Sequence, residues 1–158
     1  GLVRVPLIFS WPGRFEKNAQ CDSLVEMMDL SASLLELAGV PLPDYFQGKS
    51  LLPILTGESD GVDHRDFVRC EYFDALDPHF TGGSGTYATM HRTRRHKLCV
   101  YHGKGVGELF DLEKDPWEHD NLWDDPTHAG LKNQMIAESF DAHVLLTTDV
   151  GSKRIAPM

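Results

Sequence analysis

Hydrophobic residues crowd the start of the chain, where Leu2, Val3, Val5, Leu7, Ile8 and Phe9 are interrupted only by Arg4 and Pro6. A run with so few polar breaks suits a strand covered on both faces, as in a parallel sheet. Residues 1–10 are therefore predicted to form a strand, stopped by the turn signal Trp11-Pro12-Gly13. Such a strand needs neighbours on both sides, and the residues up to 61 offer only weak candidates. The chain accordingly reads as a piece that begins inside a larger α/β domain. Residues 15–20 read as a loop, and residues 21–28 fit either a helix face (Leu24, Met27, Met28) or a strand (Ser23, Val25, Met27). From residue 30 to 38 the period is helical. Leu30, Leu34, Leu35 and Leu37 make one stripe, Asp29 is a candidate N-cap, and Gly39 is placed to end the helix. Residues 41–61 carry prolines and glycines around the short apolar run 51–55 and read as a surface connection docked by its leucines.

Asp60-Gly61-Val62-Asp63 marks a boundary, beyond which the period changes to that of strands, over residues 67–73, 86–93, 97–102 and 108–112. Arg94-Arg95 separates the second from the third, and the stretch 103–107, rich in glycine, the third from the fourth. Short loops between successive strands imply antiparallel hairpins. A helix over residues 127–146 is predicted next, with Leu131, Met135, Ile136, Phe140, Val144 and Leu145 on one side. The fold class expected is an α/β fragment, the last strand and helix of a large domain over 1–61. It is followed over 62–158 by an α+β subdomain of four antiparallel strands packed on a C-terminal helix. Within that subdomain, residues 107–123 read as strand, turn and helix. Leu109, Asp111 and Glu113 alternate with Phe110 and Leu112, Asp115 and Pro116 suit an N-cap and first helical position, and Glu118 suits a reciprocal capping carboxylate.

Composition narrows the function classes. At 41% hydrophobic and 25% charged residues the chain is that of a globular protein, and its net charge of −9 argues against nucleic acid or an anionic membrane face as partner. No apolar run approaches the roughly 20 residues of a membrane span. Cys21, Cys70 and Cys99 are widely spaced without a CxxC. No disulfide framework is expected, and the preference is for a reducing, cytoplasmic compartment.

Eight histidines raise the question of a metal. His91, His96 and His102 lie on or between neighbouring strands, and the first two flank a hairpin turn. No HxH, HExxH or Cys/His ligand spacing occurs, so they are expected to be exposed strand-face residues. His64 with Asp63 and Asp66, and the acidic residues from Glu113 to Asp125, read as solvated loops and caps. There is no GxSxG elbow, and Gly82-Gly83-Ser84-Gly85 lacks the ending of a P-loop. The segment 74–85 is the long excursion of the subdomain. Such loops often bind, and Asp77, His79 and Phe80 are the substrate-binding candidates, with His79 able to hydrogen-bond an anionic ester or its leaving group.

Several blocks are distinctive as letters. Val3-Arg4-Val5-Pro6-Leu7-Ile8 with Trp11-Pro12-Gly13, the stretch from Asp29 to Pro41, the stretch from Gln47 to Leu55, and Arg95-His96-Lys97-Leu98 are four of them. The fifth runs from Leu109 to Leu112 and continues through Asp115, Pro116, Glu118, Asn121 and Leu122. Together, and in this order, they resemble the C-terminal portion of the sulfatase family. The resemblance implies an alkaline-phosphatase-like α/β hydrolase that cleaves sulfate esters with a formylglycine nucleophile, made from the Cys or Ser of a C/S-x-P-x-R motif, and a divalent cation, usually calcium. None of Cys21, Cys70 or Cys99 has Pro two and Arg four residues on. By the resemblance the cation ligands and catalytic lysine lie upstream, so no catalytic or metal-binding residue is expected here. The implied partners are the N-terminal part of the same enzyme and a small-molecule sulfate ester, and a homo-oligomer is compatible with the sequence. The alternatives are a phosphonate or phosphate ester hydrolase of the same superfamily, or a non-catalytic binding or assembly module.

Overall fold

A computed structural model of the chain describes residues 4–74 and 85–148. It forms two compact units, one of Gly1–Arg65 with His143–Met158 and one of Asp66–Ala142.

In the first unit, residues 4–10 belong to no strand or helix, and Val5, Leu7 and Ile8 are 62%, 45% and 86% exposed. The predicted strand is therefore not paired among the described residues. Its backbone has no ladder to join, and a strand exists only through a neighbour's hydrogen bonds. The turn after it forms as expected: the amides of Arg14 and Phe15 both donate to the Trp11 carbonyl, and the Trp11 and Phe15 rings meet edge to face at 5.7 Å. Helix α1 spans Met27–Leu37, so the ambiguous stretch before Asp29 joins the helix only in its last two residues. Asp29 is not the N-cap but the third helical residue. Its carboxylate accepts the Glu26 amide, and the Glu26 side chain returns the bond, a capping box one turn earlier than anticipated. Gly39, at φ 68°, ends the helix, as only a residue without Cβ does at no steric cost. A one-turn helix α2, Leu52–Leu55, follows a buried Leu51.

The second unit is a meander of four antiparallel strands, β1 Phe67–Phe73, β2 Tyr87–Thr93, β3 His96–Tyr101 and β4 Val106–Asp111, in spatial order β1-β2-β3-β4. The register places Arg69, His91, Leu98 and Leu109 in one cross-strand row, and Val68, Arg92, Lys97 and Phe110 in the neighbouring row on the opposite face. Leu98, Leu109 and Met135 form the core, with Val100, Leu122, Trp123 and Leu131 packed around it. Helix α3, Ala129–Thr148, supplies Met135 and Leu131 and is entered through a 3₁₀ turn, Pro126–His128. The Asp125 side chain caps that turn by accepting the Thr127 amide at 2.8 Å. The apolar side anticipated for this helix divides: Met135 is buried, whereas Ile136, Phe140, Val144 and Leu145 are 38–68% exposed.

No helix starts at Pro116. Residues 112–120 are turns, with Glu118 at φ 61° and its carboxylate paired with Lys97 instead of a helix N-terminus. Tertiary bonding explains the departure. Asn121 lies along the outer edge of β4, where its Oδ1 accepts the Leu109 amide at 3.0 Å and its Nδ2 donates to the Gly107 carbonyl at 3.1 Å. The Leu122 amide then donates to the Leu109 carbonyl at 2.8 Å. One side chain and one amide thus satisfy an edge that would otherwise be open. The approach is close: a Cβ on Gly107 would fall within the Trp123 indole and 2.6 Å from the Cys99 carbonyl oxygen.

Candidate functional site

The sequence candidates Asp77, His79 and Phe80 lie outside the described residues. The neck of their loop is described, and it is built. Asp74, at φ 46°, donates its amide to the Thr86 carbonyl and accepts the Gly85 amide on Oδ1, each at 3.0 Å. A short polar side chain is one of the few that tolerates that backbone while bonding locally.

The densest polar cluster surrounds Asp29, which is fully buried. Its oxygens accept the backbone amides of Glu26 and Lys49 at 2.9 and 2.8 Å, Arg65 Nε at 2.9 Å, and a second, shorter bond from the same guanidinium. His64 Nε2 stands 3.3 Å away. Arg65 also donates to the Gln47 carbonyl and faces Glu26 at 3.5 Å. Burial alone would raise the Asp29 carboxyl, but the Arg65 fork and the two amides outweigh it and hold the group below the ordinary range. Ser33 extends the cluster, donating to the Asp29 carbonyl and accepting the Leu51 amide. A carboxylate so fully occupied has no lone pair left for a metal or a substrate proton. The His64–Asp29 contact resembles a catalytic pair only superficially, because Arg65 already neutralises the acid and the Ser33 hydroxyl of the cluster is bonded to backbone.

In the sheet unit the anticipated exposure of the histidines fails at His91, which is 2% exposed with its Nδ1 unpartnered. His91 stands opposite Leu98 and His96 opposite Asp111, and His102 Nε2 bonds Thr89 Oγ1 at 2.9 Å. The hairpin places Arg92 directly beside Lys97; Lys97 is buried and paired with Glu118, while Arg92 Nε is buried without a partner. Arg95 grips Asp111 through two nitrogens at 3.2 and 2.9 Å and holds its carboxyl at about 2. Burial pushes the Cys99 thiol up to about 12, which leaves it protonated and unreactive.

Among the described residues no group of three His, Cys, Asp or Glu side chains could hold a metal ion. These donors therefore do not fit a divalent-cation centre. A serine form of the C/S-x-P-x-R spacing does occur, as Ser10-Trp11-Pro12-Gly13-Arg14, and inspection of the cysteines alone passes over it. Ser10 is exposed beside the turn, and the Arg14 guanidinium lies over the Trp11 ring at 5.2 Å. It has neither the charged cluster nor the enclosure that a nucleophile requires.

The meander backed by a helix, together with a helical unit whose leading apolar segment is unpaired among the described residues, fits the C-terminal region of the alkaline-phosphatase-like fold. The chain belongs to the sulfatase family. Residues 2–143 match the family described as N-sulphoglucosamine sulphohydrolase, C-terminal. It is 32% identical to a Delta 4,5-hexuronate-2-O-sulfatase of Bacteroides thetaiotaomicron, over 96% of this chain and 32% of that protein. Among solved structures it is similar to a 2-O GAG sulfatase, with a TM-score of 0.65 and 30% identity over 77% of this chain and 25% of that one. A phosphonate monoester hydrolase from Silicibacter pomeroyi gives a TM-score of 0.63 and 26% identity over 80% of this chain and 26% of that one. The chain thus spans about a third or less of the length of these relatives.

Proposed function

We propose that this chain completes the fold of a sulfuric ester hydrolase and shapes one wall of its substrate cleft. The formylglycine and the divalent cation, calcium in the first instance, are held by polypeptide outside it. The observation that carries the reading is the match of residues 2–143 to the C-terminal part of the family, with no equipped nucleophile or cation cluster among the described residues. The exposed apolar segment 4–10 supports it, because such a run suits a strand of a covered sheet and is unpaired among the described residues. The N-terminal part of the same enzyme is the partner that would supply that sheet. The substrate is a small sulfate ester; relatives named for hexuronate and GAG 2-O-sulfate make a sulfated uronic sugar the first to try. Asp77, His79 and Phe80 are the residues proposed to reach it.

The purified chain is expected to hydrolyse no p-nitrophenyl sulfate, with or without added calcium. A polypeptide that also carries a C-x-P-x-R segment and its cation ligands is expected to do so, and to prefer the sulfate over a phosphonate monoester. Turnover by the chain alone, abolished by Ser10→Ala, would overturn the proposal; a preference for the phosphonate would shift it to that branch of the superfamily.

A further inference from the structure

Among the described residues of the sheet unit, His91 is the one enclosed histidine. It lies in the row Arg69, His91, Leu98, Leu109, on the face where Leu98 and Leu109 meet Met135 of α3. Its ring stacks on Phe67 with centroids 4.9 Å apart. It is 2% exposed, and its Nδ1 is buried with no hydrogen-bond partner. Two charged groups act on it from the elements packed around it, Glu138 from α3 and Arg69 from β1, and they oppose each other. From β3 it faces Leu98, which has no charge. Glu138 is also engaged, its Oε1 accepting Gln134 Nε2 at 2.8 Å.

We propose that His91 makes the attachment of α3 to the four-stranded sheet acid-sensitive: the neutral imidazole packs as part of the core, and its protonated form does not. In the imidazolium both ring nitrogens carry a proton, so the enclosed Nδ1 is then a donor without an acceptor, in a charged ring set between a phenyl ring and a leucine. Burial is the largest influence on this ring, and it lowers its proton affinity. The sign follows from linkage. The folded form binds the proton less readily than the unfolded chain, so stability is complete at pH values where both are neutral. It is lost as the pH falls through the unfolded value of 6.5 toward the folded one. His96 shares this sign, because burial also lowers its affinity, and it serves as a control. The consequence is a helix that loosens from the sheet in a mildly acidic compartment, exposing Leu98 and Leu109.

Hydrogen exchange of the amides of residues 131–142 in the whole chain tests this. After correction for intrinsic rates, protection is expected to fall by about threefold or more between about pH 7.5 and about pH 5.5. His91→Leu should abolish most of that fall, while His96→Gln should retain most of it. Protection unchanged with pH, an undiminished fall in His91→Leu, or protection that rises in acid because Glu138 turns to pair with the ring would each overturn the proposal. If His91→Leu does not fold, the NMR titration of His91 in the unaltered chain decides it. An ordinary or raised midpoint refutes the proposal, and a lowered midpoint, together with the loss of α3 protection, supports it.

Discussion

The two units solve the same problem in opposite ways. The sheet unit buries an apolar centre of its own, Leu98, Leu109 and Met135, and seals the free edge of β4 with Asn121. The helical unit instead organises itself around a buried charge, Asp29 with Arg65, and leaves Val5, Leu7, Ile8, Met27 and Leu34 between 45% and 86% exposed. A core that closes on itself belongs to a module that is complete locally. A polar hub with apolar side chains turned outward fits the proposal that this unit is part of a larger core, in which the hub would fix chain geometry and the exposed residues would be covered. The interior ion pair is consistent with that role. It holds α1, the connection at Lys49 and the segment before β1 in one arrangement, without needing a large apolar interior of its own.

The largest test of this contrast is Asp29→Ala. It leaves the Arg65 guanidinium buried without its carboxylate and two backbone amides without acceptors, a class of change that costs about 3–5 kcal/mol. Urea unfolding followed by hydrogen exchange peptide by peptide should show the loss in α1 and the segment around residue 49, with residues 87–111 unchanged. An equal loss in the sheet would mean that the two units share one cooperative core.

Next in size is Asn121→Ala. It strips the Leu109 amide and the Gly107 carbonyl of their partners at the edge of β4, which should cost about 1–3 kcal/mol because the edge strand is left partly unsatisfied. The effect should appear as faster exchange of the Leu109 amide and a lower melting temperature of the sheet unit, with α1 unaffected. Asn121→Asp should be intermediate: it keeps the acceptor for Leu109 but sets a carboxylate oxygen against the Gly107 carbonyl.

The sheet was the legible part of the chain. Its strands announce themselves through alternation and short hairpin loops, and the structure finds four within a residue or two of their expected limits. What escaped was whatever depends on a partner distant in sequence. Asp29 before a leucine stripe reads as a cap, and only Arg65, 36 residues later, makes it an interior residue. Pro116 and Glu118 read as a helix start, yet Asn121 and Leu122 are committed to β4 and Glu118 to Lys97, which leaves no room for the turn of helix. Alternation along β2 shows that His91 and Arg92 occupy opposite faces but not which face is closed, so the enclosed histidine reads as exposed. The apolar run at the start reads as a strand from its composition, but composition cannot supply the neighbour that makes it one.

The smallest expected effect separates the two units by pH rather than by mutation alone. Arg95 holds the Asp111 carboxyl at about 2, below the ordinary 3.8, through a pair whose arginine is half exposed. Because the folded carboxyl releases its proton more readily than the unfolded one, the stabilisation is present above pH 3.8 and is lost as the pH falls through about 2. Solvent and salt screen such a pair, so the slope in acid should be shallow and should flatten further in high salt. Arg95→Gln should move the Asp111 carboxyl back toward its ordinary value, as read by its NMR titration, and remove the slope from the hairpin of β3 and β4. The helical unit has its own slope in the same direction from Asp29, and Arg95→Gln should leave that one untouched. If instead both slopes disappear together, acid unfolds the chain as one body, and the contrast between a closed sheet and an open helical unit fails.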